Sequence, residues 1–277
     1  MAITVNSNAS ANRAMTQLSK TGRSLAGSFQ RISSGLRISK AADDAAGLGV
    51  AENLKVAYKS AKVAQRNIGD GVSMIAVAEG ASSEVGSILG RMRELAVQSS
   101  SETLGDDERA YIQDEYVALS SEVDRIANVT EFNGQKLTDG STTTVACQVG
   151  IGNTSDDQVD ITMGDLTSAT LGVDTGSMDM STSTGASSSI TAIDAAISMV
   201  SGYRSDYGAV ENRLGSALNN LETYVENTQS AESAIRDADF AYETAELSKN
   251  QVLQQAGVSV LAQAKSMSQS ALTLLQS

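Results

Sequence analysis

Across 277 residues the chain contains no proline. At an average usage of about 5%, roughly 14 would be expected in a chain this long. Proline removes a backbone donor and breaks helix interiors, so its absence points to long uninterrupted helices. There is also no histidine or tryptophan, one cysteine, and 4% aromatics. Without imidazole there is no histidine base or ligand, and one cysteine cannot furnish a zinc site, an iron–sulfur site or a disulfide framework. Most hydrolase and metalloenzyme constellations are thereby excluded, and no catalytic, cofactor or metal residue is assigned. Few bulky side chains beside abundant Ala, Ser and Gly suit extended helix-on-helix packing better than a globular core.

The apolar pattern agrees. Near the N-terminus Ala11, Ala14, Leu18, Gly22, Leu25, Phe29, Ile32 and Leu36 recur at steps of three and four, a coiled-coil-like stripe. A second stripe runs from about Ala45 to Ser99 through Leu54, Ala61, Ile68, Ile75, Ser82, Leu89 and Ala96. Unbroken, it predicts a helix roughly 80 Å long. After a break at Leu104–Asp107, a third helix reads Ile112, Tyr116, Leu119, Val123, Ile126, and is expected to fold back on the second. The pattern returns from Ile193 to Ala238, and a last stripe runs Leu247, Leu253, Ala256, Val260, Ala264, Met267, Ala271, Leu274. Neither terminal helix can bury its stripe alone, so the simplest solution pairs the two ends, with neighbouring subunits completing a thin core.

Between the helical parts, Phe132-Asn133-Gly134 supplies an Asn-Gly turn, and Thr143–Ile151 and Gln158–Met163 are two short β-branched runs. From 141 to 191, twenty of 51 residues are Ser or Thr and six are Gly, which predicts a surface insertion rather than a core. The fold class expected is therefore mainly α: a long antiparallel helical rod or coiled-coil hairpin with paired terminal helices and a small β-rich insertion. Its parts are 1–40 with 241–277, 41–138 with 188–240, and 139–187.

Charge is segregated along the chain. Residues 1–40 hold six bases and no acid, whereas 137–203 hold eight aspartates and no base. The net charge of −13 opposes nucleic-acid binding. The longest unbroken apolar run is Met74–Ala78, so neither a membrane span nor a cleaved secretory signal is expected. The basic N-terminal arm has the composition of a transit peptide or membrane-surface helix. It is better read as an export-competent arm that folds on assembly, because its stripe has a match at the far terminus.

Isolated features have plain explanations. Asp43-Asp44 and Asp106-Asp107-Glu108 stand where helices should begin and serve as caps and dipole partners. Asp156, Asp157, Asp160 and Asp165 miss calcium-loop spacing and form an acidic loop. Cys147 has no histidine to activate it and is expected to be an unreactive surface or strand thiol. Gly47, Gly49, Gly69 and Gly71 follow no strand and are expected to permit close helix packing.

Two sets of longer motifs carry a resemblance. Arg31-Ile-Ser-Ser-Gly-Leu-Arg-Ile-Ser39, Ala42-Asp-Asp-Ala-Ala-Gly-Leu-Gly-Val-Ala-Glu-Asn-Leu54, Arg93-Glu-Leu-Ala-Val-Gln98 and Phe132-Asn-Gly134 resemble the N-terminal hallmark of bacterial flagellins. Ile235-Arg-Asp-Ala-Asp-Phe-Ala241 and Gln251–Ala264 resemble the C-terminal one, and the match spans about 1–138 and 188–277. The resemblance implies a filament subunit whose terminal helices form an inner tube, disordered in the monomer, beneath a helical rod and a variable outer insertion. It implies export unfolded through the flagellar type III apparatus, an export chaperone at the C-terminal helix, and cap and hook–filament junction proteins as partners. The assembled protein would be extracellular.

Leu18, Leu25, Phe29, Ile32, Leu253, Val260 and Leu274 are then expected to form the assembly seams. Arg91, Leu95 and Glu115 match positions through which many flagellins meet the vertebrate Toll-like receptor 5, although Gly90 replaces the usual glutamine. A solvated ion-pair surface explains Arg91 and Glu115 equally well. The short outer segment and its cysteine depart from the family pattern, and O-glycosylation there competes with an unmodified loop. A hook–filament junction protein and a chemoreceptor-like signalling hairpin are the rival classes. The first usually diverges at the Asp-Asp-Ala-Ala-Gly and Gln-Gln-Ala-Gly segments intact here, and the second would not carry a Ser/Thr-rich insertion at its tip.

Overall fold

A computed structural model describes the backbone of residues 8–276 and the side chains of 8–266. In chain order the elements are α1 (Ala9–Ser34), α2 (Ala45–Ser99), α3 (Asp106–Val129), β1 (Glu131–Phe132), β2 (Gln135–Lys136), β3 (Thr144–Gln148), β4 (Gln158–Thr162), α4 (Ser168–Leu171), α5 (Ser183–Arg236) and α6 (Phe240–Gln276). The fold is mainly α, with long helices and a small strand-containing region. Two compact units share the chain: Met1–Ala57 with Asn227–Ser277, and Tyr58–Glu226. The change of unit falls inside α2 and α5, not at a chain break.

In the Tyr58–Glu226 unit, α2 buries Ala61, Ala64, Ile68, Ile75, Ala78, Ser82, Val85, Leu89, Met92 and Ala96, the line its periodicity predicts. Antiparallel α5 runs beside it, with Arg204 ion-paired to Glu79 at 3.5 Å and Arg93 to Asp194 at 2.6 Å. Helix α3 folds back so that Ile112, Tyr116, Val123 and Ala127 join the same core. Buried Arg109 closes the turn between α2 and α3, donating from Nε to the Ser99 carbonyl (3.0 Å) and from Nη2 to that of Ser101 (2.8 Å). The acids expected at helix starts are there: Asp106, Asp107 and Glu108 occupy the first turn of α3, and in the other unit Asp44 accepts from Gly47 N at 2.9 Å.

Asn133 (φ +52°) and Gly134 (φ +79°) form the two-residue turn joining β1 to β2, the left-handed pair that such a hairpin requires. Strands β3 and β4 pair antiparallel, Thr144 opposite Thr162 through Gln148 opposite Gln158. The Ser/Thr-rich segment departs from its expected role. Cys147, Val149, Val159, Ile161, Met163, Leu166, Leu171, Val173 and Met180 are all buried, so the segment supplies core. Its sparse apolar residues alternate inward, while its polar groups are satisfied locally or by the helices. Tyr116 Oη and Ser120 Oγ both donate to the Val173 carbonyl (2.8 and 3.2 Å), and Ser168 donates its N–H and hydroxyl to Asp124.

The packing expected of glycines holds at Gly71, where a Cβ would stand 3.1 Å from Cys147 Sγ, but at Gly49 and Gly69 a Cβ would meet nothing within 4 Å. One window of α2 is long and apolar enough to cross a membrane, with mean hydropathy 1.2. The inward apolar residues of α2, among them Ile68, Ile75, Ala78, Val85 and Leu89, are already fully buried in their own unit.

Candidate assembly interface

In the Met1–Ala57 with Asn227–Ser277 unit, α1 and α6 run antiparallel and are the most closely approached pair of long helices. Asn8 faces Ala264, donating from Nδ2 to its carbonyl at 3.0 Å. Leu18 faces Gly257, where a Cβ would come within 3.3 Å of Leu18 Cδ1. Arg31 faces Glu243 in a two-pronged ion pair, Nε to Oε1 at 2.6 Å and Nη2 to Oε2 at 3.1 Å. That contact raises the Arg31 pKa further, chiefly through the hydrogen bond that Arg31 donates to Glu243. Beyond α1, Gly35 (φ +71°) turns the chain so that Arg37 N and Ile38 N both donate to the Arg236 carbonyl, and Ala238 N donates to that of Gly35.

The inward line is not quite the one that periodicity drew. Ala11, Thr21 and Ser28 are the buried residues of α1, and Glu243 and Asn250 those among the described side chains of α6. Thr21 and Ser28 stand where Gly22 and Phe29 were expected, one position along. Small polar groups win because they let the two backbones approach, and the Thr21 hydroxyl is satisfied within α1 by the Gln17 carbonyl at 3.0 Å. Leu18, Leu25 and Ile32 are half-buried, whereas Phe29, Leu253 and Val260 are 65%, 47% and 56% exposed. Met15, Val252 and Val258 are exposed as well. The Leu274 side chain lies outside the described residues.

Two further places gather charged or reactive groups. On α2, Arg91 donates from Nε and Nη2 to Glu115 (3.0 and 2.8 Å) and from Nη1 to Glu94 (3.0 Å), all on exposed surface. Cys147 lines a cleft of about 710 Å³ with Asn67, Asp70, Met74, Phe132 and Gln135. The thiol is buried, not on the surface, and donates to the Asn67 carbonyl at 3.3 Å. Burial first, and then Asp70, push its pKa up, the opposite of what a nucleophile needs. Among the described residues no three His, Cys, Asp or Glu side chains gather as metal ligands would.

Residues 5–143 match the bacterial flagellin N-terminal helical region, and residues 190–275 match the C-terminal helical region. A flagellin of Halalkalibacterium halodurans is 44% identical over 248 residues, covering 90% of each chain. The flagellin of Bacillus subtilis is 37% identical, covering 98% of this chain and 99% of its own.

The chain belongs to the bacterial flagellin family.

Among solved structures, Bacillus cereus flagellin aligns with a TM-score of 0.50 and 31% identity over 56% of this chain and 88% of its own. A putative flagellar hook-associated protein from Vibrio parahaemolyticus aligns at 0.59 over 70% of this chain, but at 16% identity it attests only the fold. Of Arg91, Leu95 and Glu115, the first and last lie on exposed surface and the second does not. Leu95 is 1% exposed and packs into the core shared by α2, α3 and α5. Sequence reasoning missed Glu243, Asn250, Thr21 and Ser28, because a search for apolar periodicity passes over polar residues at inward positions.

Proposed function

We propose that this chain is the repeating subunit of a flagellar filament, polymerising through α1 and α6 and lying outside the cell once assembled. The carrying observation is the state of that helix pair. Its seam is closed by small and polar groups, while Phe29, Leu253 and Val260 remain turned to solvent in a single copy. Apolar side chains left exposed along two paired helices are covered at least cost by further copies. In this reading 1–40 with 241–277 build the inner tube, 41–138 with 188–240 the rod, and 139–187 the outer part. Export unfolded through the flagellar type III apparatus, a chaperone on the C-terminal helix, and cap and junction proteins belong to the same reading and rest on the family resemblance. Relatives named as flagellins and as a flagellar filament core protein of Treponema maltophilum, 38% identical, support it. The outward Arg91–Glu115 pair is a candidate contact for Toll-like receptor 5, which silence of reporter cells toward soluble monomer would dismiss.

The deciding experiment returns heat-depolymerised protein to neutral buffer with short filament seeds and views it by electron microscopy, beside a chain lacking 1–40 and 241–277. Long tubes from the full chain alone are expected. Soluble particles from both would replace the filament reading with a junction or signalling role.

A further inference from the structure

Surface charge in the Tyr58–Glu226 unit is unevenly spread. Lys59, Lys62 and Arg66 are exposed and follow one another at steps of three and four, which sets them in one row on α2. None of the three is ion-paired among the described residues, in a chain with 33 acids and 20 bases. Glu222 lines the same shallow cleft as Lys62 and Arg66 without reaching ion-pair distance, and Asp70 lines the Cys147 cleft. Like charges one turn apart destabilise a helix, so the row is unfavourable in a single copy.

The other end of α2 has the opposite character. Glu102, Asp106, Asp107 and Glu108 are exposed in the turn into α3, and Asp114 follows. The one base among them, Arg109, is buried and engaged with the Ser99 and Ser101 carbonyls, with Asp106 at 3.7 Å. Between the two ends Arg91, Arg93 and Arg204 are each ion-paired. About 40 residues of helix separate the basic row from the acidic turn, roughly 60 Å at 1.5 Å per residue, so the two cannot meet within one chain.

We propose that the basic row and the acidic turn are the two halves of one contact, made head to tail between successive copies of this chain. The proposal rests on the filament reading and deepens it. A contact between two different patches, repeated by an operator that does not close, gives an open polymer. Complementary charge at its ends sets register and direction, and its exposure makes it sensitive to salt. An anionic lipid surface would use the row but not the turn, and the net charge of −13 opposes it.

The test measures the critical concentration for seeded growth of the full chain at low and high salt. The variants are Lys59→Glu/Lys62→Glu/Arg66→Glu, Glu102→Lys/Asp107→Lys/Glu108→Lys, and the two sets combined. Asp106 is left in place because of Arg109. Each triple reversal is expected to raise the critical concentration about tenfold at low salt, the product of three exposed pairs worth about two- to threefold each. Combining the sets should restore it to within about threefold of the parent, since reversed partners still match. Thermal melting of each monomer controls for folding. If the acid-reversed chain melts early, Glu102→Lys/Asp114→Lys, which avoids the first turn of α3, takes its place.

An unchanged critical concentration in the base-reversed chain overturns the proposal, as does a combined chain weaker than either parent set. Loss of binding to vesicles with 30% phosphatidylserine, without any change in growth, would assign the row to an anionic surface instead. Failure of the unaltered chain to grow on seeds would instead strike down the filament reading, and this contact with it.

Discussion

The two units pack helix against helix by opposite means. Between α2, α3 and α5 the buried side chains include Tyr116, Tyr207, Leu89, Met92 and Ile193, each fully or almost fully withdrawn from water. Between α1 and α6, among the described residues, they are Ala11, Thr21, Ser28, Glu243 and Asn250. Burying one large apolar side chain is worth about 1.5–3 kcal/mol, and the second set contains none. Small groups bring backbones close and fix a register, but the apolar area they remove from water is slight. The Tyr58–Glu226 unit therefore has a large apolar core of its own, whereas the described part of the helix pair buries little apolar surface.

That contrast can be broken at several points. The largest effect is expected from Leu253→Asp, which should abolish filament growth in the seeded assay while leaving the main thermal transition of the monomer in place; normal filaments would show that the outward face is not an assembly surface. Next, Leu89→Ala should cost the monomer about 2–5 kcal/mol in urea titration, because it empties a fully buried site. Loss of the half-buried ion pair in Glu243→Gln should weaken the α1–α6 pair by about 1 kcal/mol, read as faster amide exchange in α1 with no change in α3. Tyr116→Phe removes one buried hydrogen bond whose acceptor keeps Ser120, so about 1 kcal/mol is expected in the same titration.

The smallest effect is with pH. Hydrogen bonds from nearby hydroxyls and backbone N–H groups hold Asp139, Asp157, Asp174 and Asp179 below their ordinary value of 3.8. Each therefore favours the folded loop above about pH 4, and that contribution disappears as pH falls through the lowered folded values. Amide protection at Gly152 and Thr154, whose N–H groups Asp157 accepts, should fall on going from pH 5 to pH 3. Protection at buried Tyr116 should not.

The sequence was most readable where side chains are large. On α2 the stripe through Ile68, Ile75, Val85, Leu89 and Met92 is the buried line, and Asn133-Gly134 is the turn its residue types demand. It misled on the 141–191 segment, because a high share of Ser and Thr hides how regularly Val159, Ile161 and Met163 point inward. On the terminal helices it was right that they pair. Leu18 and Ile32 lie at the edge of the seam, while Phe29, Leu253 and Val260 face away from it. Periodicity identifies a face that wants cover, but it does not say whether a neighbouring helix or a neighbouring molecule provides it.

The hydroxyl of Thr21 bonds to Gln17 within its own helix, not across to α6. Separating the two helices therefore strands no donor at that position, and the transition between joined and parted helices is spared one source of barrier. At Thr21 the two helices can part and close again without the hydroxyl exchanging its partner.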